Sequence, residues 1–473
     1  MIPELVLVIA WSVTGWSAVS LAGLNRDHRV IAILIAPLIG LAITTVTGGL
    51  TLAIGVDGQV EVIAAVAIAV SIAAAFRTPP GRRIDCTLGV AASMGIAGTV
   101  AAAVRLIASP ILTFDSYKFI KLGRTLESND LSISSASLAD YPIVGLEIQA
   151  FGRALGAEFV IAAPATAGLL GIVGAGSFIV QAVNGRVQLS AASIAATLVS
   201  GTVLALSSYM LRLQFSLLNS HLVVAGLLSV GAAAALATAN TESHRHMVPV
   251  SAMALSALAM TRAEGPLVVA LVMIALVADQ ELPRRTWRQL GTMGVLPAAV
   301  WYWRLATAGA SGDILSPTRS AFMIGVLAAP VAVLAIPQLD FIRRWLVPIA
   351  FGALTCAISG LAFAEPEGFG TSAATTAGNL LTTGSWGAVW WLLVPAIAMG
   401  IMTGPTLERE DSWLLILLGF GGLVMILGGI RDFPFRAGFG DSGNRMMIHI
   451  VPLAFLFVIV KTLVASRRRS IPI

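Results

Sequence analysis

A small set of charged and polar residues stands out in a chain that is 57% hydrophobic and only 11% charged. The set contains carboxylates, arginines, a lysine and a histidine: Asp115, Lys118, Arg124, His221, Arg262, Glu264 and Arg445. An ionised carboxylate can take a proton from a hydroxyl, and a guanidinium can donate two hydrogen bonds to a phosphate. These residue types suit an anionic substrate, provided that the fold brings them together.

The elements that must position these residues are membrane-spanning helices. An average soluble domain is about 25% charged, whereas this chain repeats apolar runs of roughly 17–25 residues, long enough to cross a bilayer core of about 30 Å. The sequence therefore predicts an all-α, polytopic helical membrane protein with about fifteen spans. The predicted spans lie at approximately 3–23, 30–55, 60–76, 87–112, 159–183, 190–212, 222–240, 247–261, 265–281, 289–307, 318–338, 345–363, 385–403, 413–430 and 446–465.

The basic residues predict the orientation of the chain in an inner (plasma) membrane. Glu4 precedes the first apolar run and basic residues follow it, which favours an N-terminus outside the cytoplasm and a cytoplasmic C-terminus. In this frame every short cytoplasmic connection holds arginine: Arg26, Arg29, Arg77, Arg82, Arg83, Arg186, Arg245, Arg284, Arg285, Arg288, Arg343, Arg344, Arg409 and the tail Arg467–Arg469. The net charge of +5 thus indicates topology signals and not a nucleic-acid partner.

No metal site or cofactor is predicted. The only cysteines, Cys86 and Cys356, lie in or beside apolar runs and have no spacing typical of metal ligands. The acidic residues predicted on the outer face are too scattered to form a metal-binding cluster.

The polar segments of unusual content are all predicted on the outer face. They are 113–158, 214–221, 261–265, 308–317, 364–384 and 431–445. Because nothing in the assignment of spans required this convergence, it predicts an outward-facing site.

The longest of these segments, 113–158, has a regular pattern. From Tyr117 to Glu127 apolar residues alternate with Lys118, Lys121 and Arg124, which predicts an amphipathic helix in the headgroup plane with Asp115 or Ser116 as its N-cap. A second amphipathic helix is predicted from residues 140–142 to Gly156, with the glycine at its end. Two juxtamembrane helices would then flank a serine-rich turn.

These motifs together resemble the GT-C superfamily of integral-membrane glycosyltransferases. The resemblance rests on DSYKFIKLGRTL, DYPIVGLEIQAFGRALG and the glycine-rich span 163–176, followed by LLNSH at 217–221, TRAEG at 261–265 and DSGNR at 441–445. The family usually places its large outer loop after the first span, whereas here it follows the fourth. Residues 1–86 are therefore expected to be an N-terminal three-span extension, and 87–473 a GT-C-like domain.

The resemblance implies an inverting transfer of a sugar from a polyprenyl-phosphate donor to a hydroxyl of a glycan, lipid or protein acceptor. Asp115 would be the catalytic base. The residues expected to bind substrate are Lys118, Arg124, His221, Arg262, Glu264 and Arg445, since the departing phosphate needs cationic or hydrogen-bonding stabilisation.

Other interpretations stay open at this point. The chain could be a lipid-linked oligosaccharide polymerase or ligase that uses arginine and histidine, or a transporter or lipid flippase. Among single residues, Arg262 and Glu264 could simply pair across a tight hairpin, Arg445 could anchor a span at the interface, and His221 could serve packing alone.

Overall fold

The computed structural model describes residues 2–56, 58–78, 80–107, 111–112, 114–127, 143–186, 207–218, 220–233, 245–277, 283–309, 315–403, 412–430 and 434–468. Helices make up 86% of these residues, and no strand occurs among them. The predicted all-α class is confirmed.

The α-helices of the first half of the described chain are α1 (Ile2–Ala22), α2 (Leu24–Asp27), α3 (Arg29–Ile54), α4 (Gln59–Arg77), α5 (Pro80–Ile107), α6 (Phe114–Glu127), α7 (Ile143–Ala154), α8 (Ala162–Arg186), α9 (Tyr209–Leu213), α10 (His221–Ala232) and α11 (Met247–Thr261). Those of the second half are α12 (Gly265–Val277), α13 (Arg284–Gln289), α14 (Leu296–Thr307), α15 (Pro317–Ala335), α16 (Asp340–Arg343), α17 (Leu346–Ala364), α18 (Pro366–Gly378), α19 (Val389–Thr403), α20 (Ser412–Gly429), α21 (Ser442–Met446) and α22 (Val451–Arg468). Two π-helical turns (Leu290–Val295, Asn379–Thr383) and two 3₁₀ turns (Pro337–Leu339, Met447–His449) complete them.

Several of these helices can cross a membrane. Six in the described ranges are long and apolar enough, and a pair bent by 41° (Ser442–His449 with Val451–Thr462) would make a seventh. The six are Ile2–Ala22, Arg29–Ile54, Gln59–Arg77, Asp85–Val104, Ala162–Ala182 and Leu346–Ala364. They are compatible with a helical membrane protein, but the predicted count of about fifteen spans is not confirmed.

Shorter apolar helices explain most of the difference. Helices of 10–17 residues occupy several predicted spans: His221–Ala232, Met247–Thr261, Gly265–Leu276, Pro317–Val333, Val389–Met402 and Trp413–Gly429. At a rise of 1.5 Å per residue, the twelve residues of α10 extend about 18 Å, less than a bilayer core. The predicted span 190–212 lies largely on residues 187–206, outside the described residues.

Helices α1, α3, α8 and α10 form the centre of the bundle. α1 packs on α3, α3 on α8, and α8 on α10. A Cβ at Gly15 would lie 1.8 Å from the carbonyl oxygen of Ala36, and one at Gly168 would lie 2.4 Å from that of Leu222. The backbones touch at these glycines, as small residues permit in membrane helices. The predicted N-terminal extension therefore contributes to the same core as the rest of the chain.

Apolar helices at the periphery present their side chains outward. No residue of α17 is buried, and Phe363 near its end is 89% exposed. Side chains of this kind are expected against lipid, because water would make their exposure costly.

Contacts between helix ends place most of the polar segments at one end of the bundle. The Glu4 carboxylate accepts hydrogen bonds from the N–H groups of Ile161 (3.2 Å) and Ala163 (2.8 Å). At the same end, the Ile111 N–H donates to the Ser216 carbonyl (2.8 Å). The opposite end holds the Arg29–Asp85 ion pair (3.6 Å). The side of the membrane that each end faces stays a prediction.

Two helices, α6 and α7, occur in the predicted loop 113–158. Ser116, Phe119 and Ile120 form the buried face of α6, while Lys118 and Arg124 lie on its exposed face. The amphipathic helix is confirmed. Its predicted N-cap is wrong: α6 begins at Phe114, so Asp115 and Ser116 lie within its first turn.

The second helix of this loop, α7, ends as predicted. Gly156 follows it with a φ of +82°, a left-handed conformation that glycine adopts without steric cost. The predicted start at residues 140–142 lies outside the described residues. One other predicted loop differs from the structure: much of 364–384 is helical, because α18 continues into the π-helical turn Asn379–Thr383.

Candidate functional site

Two buried histidines from distant parts of the chain meet at the polar end of the bundle. His221 is the first residue of α10, and His449 ends the 3₁₀ turn that leads into α22. Nδ1 of His221 lies 2.9 Å from Nε2 of His449, a hydrogen-bonding distance. Phe420 packs edge-on against His449, with ring centroids 5.8 Å apart. The imidazole pair is therefore held away from bulk water.

Two arginines lie close enough to this imidazole pair for their charges to act on it. The charges of Arg262 and Arg445 both act on His221, and that of Arg262 also acts on His449. Arg262 follows the last residue of α11 and forms an ion pair with Glu264. This pairing is the one that a tight hairpin predicts. Among the described side chains the site is cationic, because Glu264 pairs with only one of the two guanidinium groups.

Tyr302 fixes the turn that carries Arg262. Its hydroxyl donates to the carbonyl oxygens of Ala259 (3.1 Å) and Arg262 (3.3 Å). The last carbonyls of a helix lack partners within the helix, so a donor from a neighbouring helix satisfies them. α14 thereby positions Arg262 at the end of α11.

The segment before Arg445 is fixed by a side-chain network. Asp441 caps α21, with its carboxylate accepting the N–H groups of Asn444 (3.0 Å) and Arg436 (2.9 Å). The Asn444 amide donates to the carbonyls of Gly384 (3.1 Å) and Gly438 (3.2 Å), and its oxygen accepts from the Trp386 indole. These bonds give α21 a defined position despite its length of one turn.

A small cavity lies beside the turn that precedes His221. It is lined by Phe119, Ile148, Gln149, Val160, Pro164, Leu218 and Ser220. The Gln149 side-chain amide donates a hydrogen bond to the Val160 carbonyl (2.8 Å), and its oxygen accepts one from the Val160 N–H (2.9 Å). These bonds attach α7 to the segment before α8. The Ser220 hydroxyl is buried and has no hydrogen-bond partner among the described residues. The cavity is thus lined by α6, by α7 and by the turn before His221.

The residues predicted from sequence fall into two groups. His221, Arg262, Glu264 and Arg445 come together around the imidazole pair. Lys118 and Arg124 lie instead on the exposed face of α6, opposite Phe119, which lines the cavity. Asp115 lies in the first turn of α6, but its side chain is outside the described part of the structure. Its role as base stays a prediction.

Sequence patterns did not identify several residues that build the site. His449 is one of five histidines in the chain and lies in a late apolar run near Pro452, a signal that could have identified it. Gln149 and Asn444 carried no comparable signal, because amides are common at helix ends. Tyr302, one of four tyrosines, lies in a run that also fits an aromatic belt.

Comparisons with known proteins give no match among family models, curated proteins or solved structures. Among the described residues, no group of three or more histidines, cysteines and carboxylates is placed to hold a metal ion. The described groups of the site that can act on a substrate are guanidinium, carboxylate and imidazole groups.

Proposed function

We propose that the protein is a membrane glycosyltransferase that moves a sugar from a polyprenyl-phosphate donor to an extracytoplasmic acceptor hydroxyl, with inversion. The observation that supports this proposal is the cluster of Arg262, Arg445, His221 and His449 beside the juxtamembrane helices. The proposal includes about fifteen spans, an extracytoplasmic N-terminus, a cytoplasmic C-terminus and an extracytoplasmic active site.

The cluster suits a phosphate that departs from a sugar. As the bond between the anomeric carbon and the phosphate oxygen breaks, negative charge grows on the phosphate and needs preorganised donors. Arg262 and Arg445 can supply them with the fork geometry that matches phosphate oxygens. Glu264 orients Arg262 through their ion pair. Lys118 and Arg124, on the exposed face of α6, would contact lipid headgroups or the donor phosphate.

In this proposal Asp115 takes the proton of the acceptor hydroxyl. General-base catalysis of this kind contributes typically about 10²–10⁴-fold in rate. The first turn of a helix favours an ionised carboxylate, since the positive end of the helix dipole lies there. An ionised Asp115 would then lie at the start of a helix whose buried face borders the cavity.

A second function is favoured by the buried imidazole pair. A lipid-linked oligosaccharide polymerase or ligase that uses arginine and histidine would need such a pair and would not need Asp115. In that case His221 or His449, and not the aspartate, would take the proton of the acceptor hydroxyl.

The two functions are separated by Asp115→Asn, His449→Gln and a control, Glu158→Gln. Glu158 is an exposed carboxylate of the same loop. Each variant is placed in liposomes with a panel of polyprenyl-phosphate hexoses and pentoses, and release of polyprenyl phosphate is measured. Asp115→Asn should lose about 100-fold or more in rate, with Glu158→Gln unchanged. If Asp115→Asn stays active while His449→Gln is inactive, the second function replaces the first.

A transporter would give a different result in the same liposomes. A labelled lipid or solute would cross the bilayer without any covalent product. That outcome would exclude both transferase proposals.

A further inference from the structure

The small cavity between α6, α7 and the turn before α10 carries one more inference. We propose that this cavity binds a single uncharged hydroxyl group through Ser220 and Gln149, two of its lining residues. A water molecule and the hydroxyl of an acceptor alcohol share this chemistry. The acceptor as a source of the hydroxyl rests on the proposed function, whereas water does not.

Ser220 precedes α10, and its hydroxyl is not used as a helix cap. Serine at this position usually accepts a hydrogen bond from an N–H of the first turn. Here the side chain makes no such bond, although the Ser220 carbonyl accepts the Val224 N–H (2.8 Å) and so begins the helical pattern. Ser220 is only 5% exposed, and its side-chain oxygen has no hydrogen-bond partner among the described residues. A buried hydroxyl that lines a cavity and caps no helix is available to a ligand.

Gln149 supplies a second polar group to the wall of the cavity. Its Nε2 donates one hydrogen to the Val160 carbonyl, and its Oε1 accepts one from the Val160 N–H. A primary amide has two N–H hydrogens and two oxygen lone pairs, so one of each is left without a partner among the described residues. Because the bonds to Val160 hold the side chain in place, Gln149 is a preorganised donor and acceptor for a hydroxyl group.

The size and the lining of the cavity select one uncharged group. The centre of a water molecule has about 10 Å³ available there, and a single water molecule needs roughly 10–15 Å³ by this measure. Because no cation is among the described lining residues, an anion such as phosphate would lose its hydration there without compensation. The cavity therefore differs in chemistry from the guanidinium groups proposed to bind phosphate. Its other lining residues are apolar: Phe119, Ile148, Val160, Pro164 and Leu218.

Ser220→Ala distinguishes a hydroxyl that has a ligand from one that has none. Removing a hydroxyl that bonds a ligand should raise the unfolding equilibrium constant about fivefold. This change is measured without substrate, as a lower dodecyl sulfate midpoint in mixed micelles. The control is Ser256→Ala, because the Ser256 hydroxyl is also buried and unpartnered among the described residues but does not line this cavity. Removing a buried polar group that has no partner should leave the equilibrium constant unchanged or lower it.

Transfer kinetics identify the source of the hydroxyl. Wild type, Ser220→Ala and Ser256→Ala are placed in liposomes with the polyprenyl-phosphate sugar that the wild type uses, and methyl glucoside serves as a soluble acceptor. If the acceptor hydroxyl occupies the cavity, Ser220→Ala should raise the KM for methyl glucoside about tenfold. The kcat and the KM for the donor should stay unchanged, because the lost bond serves acceptor binding alone. Ser256→Ala should leave both KM values unchanged.

The combined results distinguish the two sources. A lower midpoint of Ser220→Ala with an unchanged KM identifies water as the occupant, and a higher acceptor KM identifies the acceptor hydroxyl. If the midpoint and the KM both match those of Ser256→Ala, the cavity binds no hydroxyl group and the proposal is wrong. If the wild type transfers no sugar, the proposed function fails by itself. A lower midpoint of Ser220→Ala would then still support a water molecule in the cavity, and an unchanged midpoint would overturn the cavity site as well.

Discussion

Glu4 offers a sharp test of the packing between α1 and the start of α8. Its carboxylate is buried and accepts the N–H groups of Ile161 (3.2 Å) and Ala163 (2.8 Å) at the start of α8. These N–H groups have no partner within their own helix. A side chain from the first turn of α1 therefore caps a helix more than 150 residues away along the chain.

The expected cost of losing this cap follows from those contacts. Glu4→Ala leaves two buried N–H groups unsatisfied at about 1–3 kcal/mol each. It also removes a negative charge from a helix N-terminus, worth roughly 0.3–1 kcal/mol. The free energy of unfolding should fall by about 4 kcal/mol. Glu4→Gln keeps one acceptor oxygen and should cost about half as much.

The assay is unfolding by sodium dodecyl sulfate in mixed micelles, followed by tryptophan fluorescence. Trp11 and Trp16 lie buried on the same helix as Glu4 and report its release. Glu158→Ala serves as control, since this exposed carboxylate should give a change within about 0.5 kcal/mol. Unfolding of Glu4→Ala at the wild-type midpoint, or an equal destabilisation by Glu158→Ala, would refute the capping role of Glu4.

Further predictions concern packing and the walls of the site. Gly15→Ala should lower the free energy of unfolding by about 1–3 kcal/mol, because the added Cβ would clash with the backbone of α3. Gly95→Ala, whose Cβ would enter open space, should leave the free energy of unfolding unchanged or raise it in the same dodecyl sulfate titration. Gln149→Leu removes both hydrogen bonds to the Val160 backbone and should speed hydrogen exchange of the Val160 amide. An unchanged exchange rate would show that these hydrogen bonds do not hold α7 to the segment before α8. Tyr302→Phe should cost about 1 kcal/mol and weaken phosphate binding by loosening the Arg262 turn; unchanged affinity would show that this turn needs no such support.

Much of the fold could be predicted because membrane helices leave a strong local signal. Apolar length alone identified α1, α3, α4, α5, α8 and α17. The alternation of Lys118 and Arg124 with Phe119 and Ile120 predicted which face of α6 is buried, since burial of that face follows the helical period. For 364–384 the prediction was wrong: its polar composition indicated a loop, yet much of it is the helix α18, which packs on α20 and bonds it from Ser372 to the Gly428 carbonyl (2.9 Å).

The site was only partly predictable, because its members come from distant segments. Arg262, Glu264 and Arg445 were predicted because charged residues are rare in this chain. The count of spans predicted that they lie at the same end of the bundle. No local pattern connects His221 with His449, which lie 228 residues apart. Their pairing depends on how α10 packs near the turn before α22.

Composition and periodicity predict an apolar helical bundle with two amphipathic helices, and the count of spans predicts that its unusual polar residues gather at one end. Hydrophobic length and periodicity are local properties, so each segment carries that information alone. The contact of His221 with His449 and the capping of α8 by Glu4 are seen in the fold and not in any segment. Such contacts arise from the packing of several helices at once, and no single segment encodes the position of its partner.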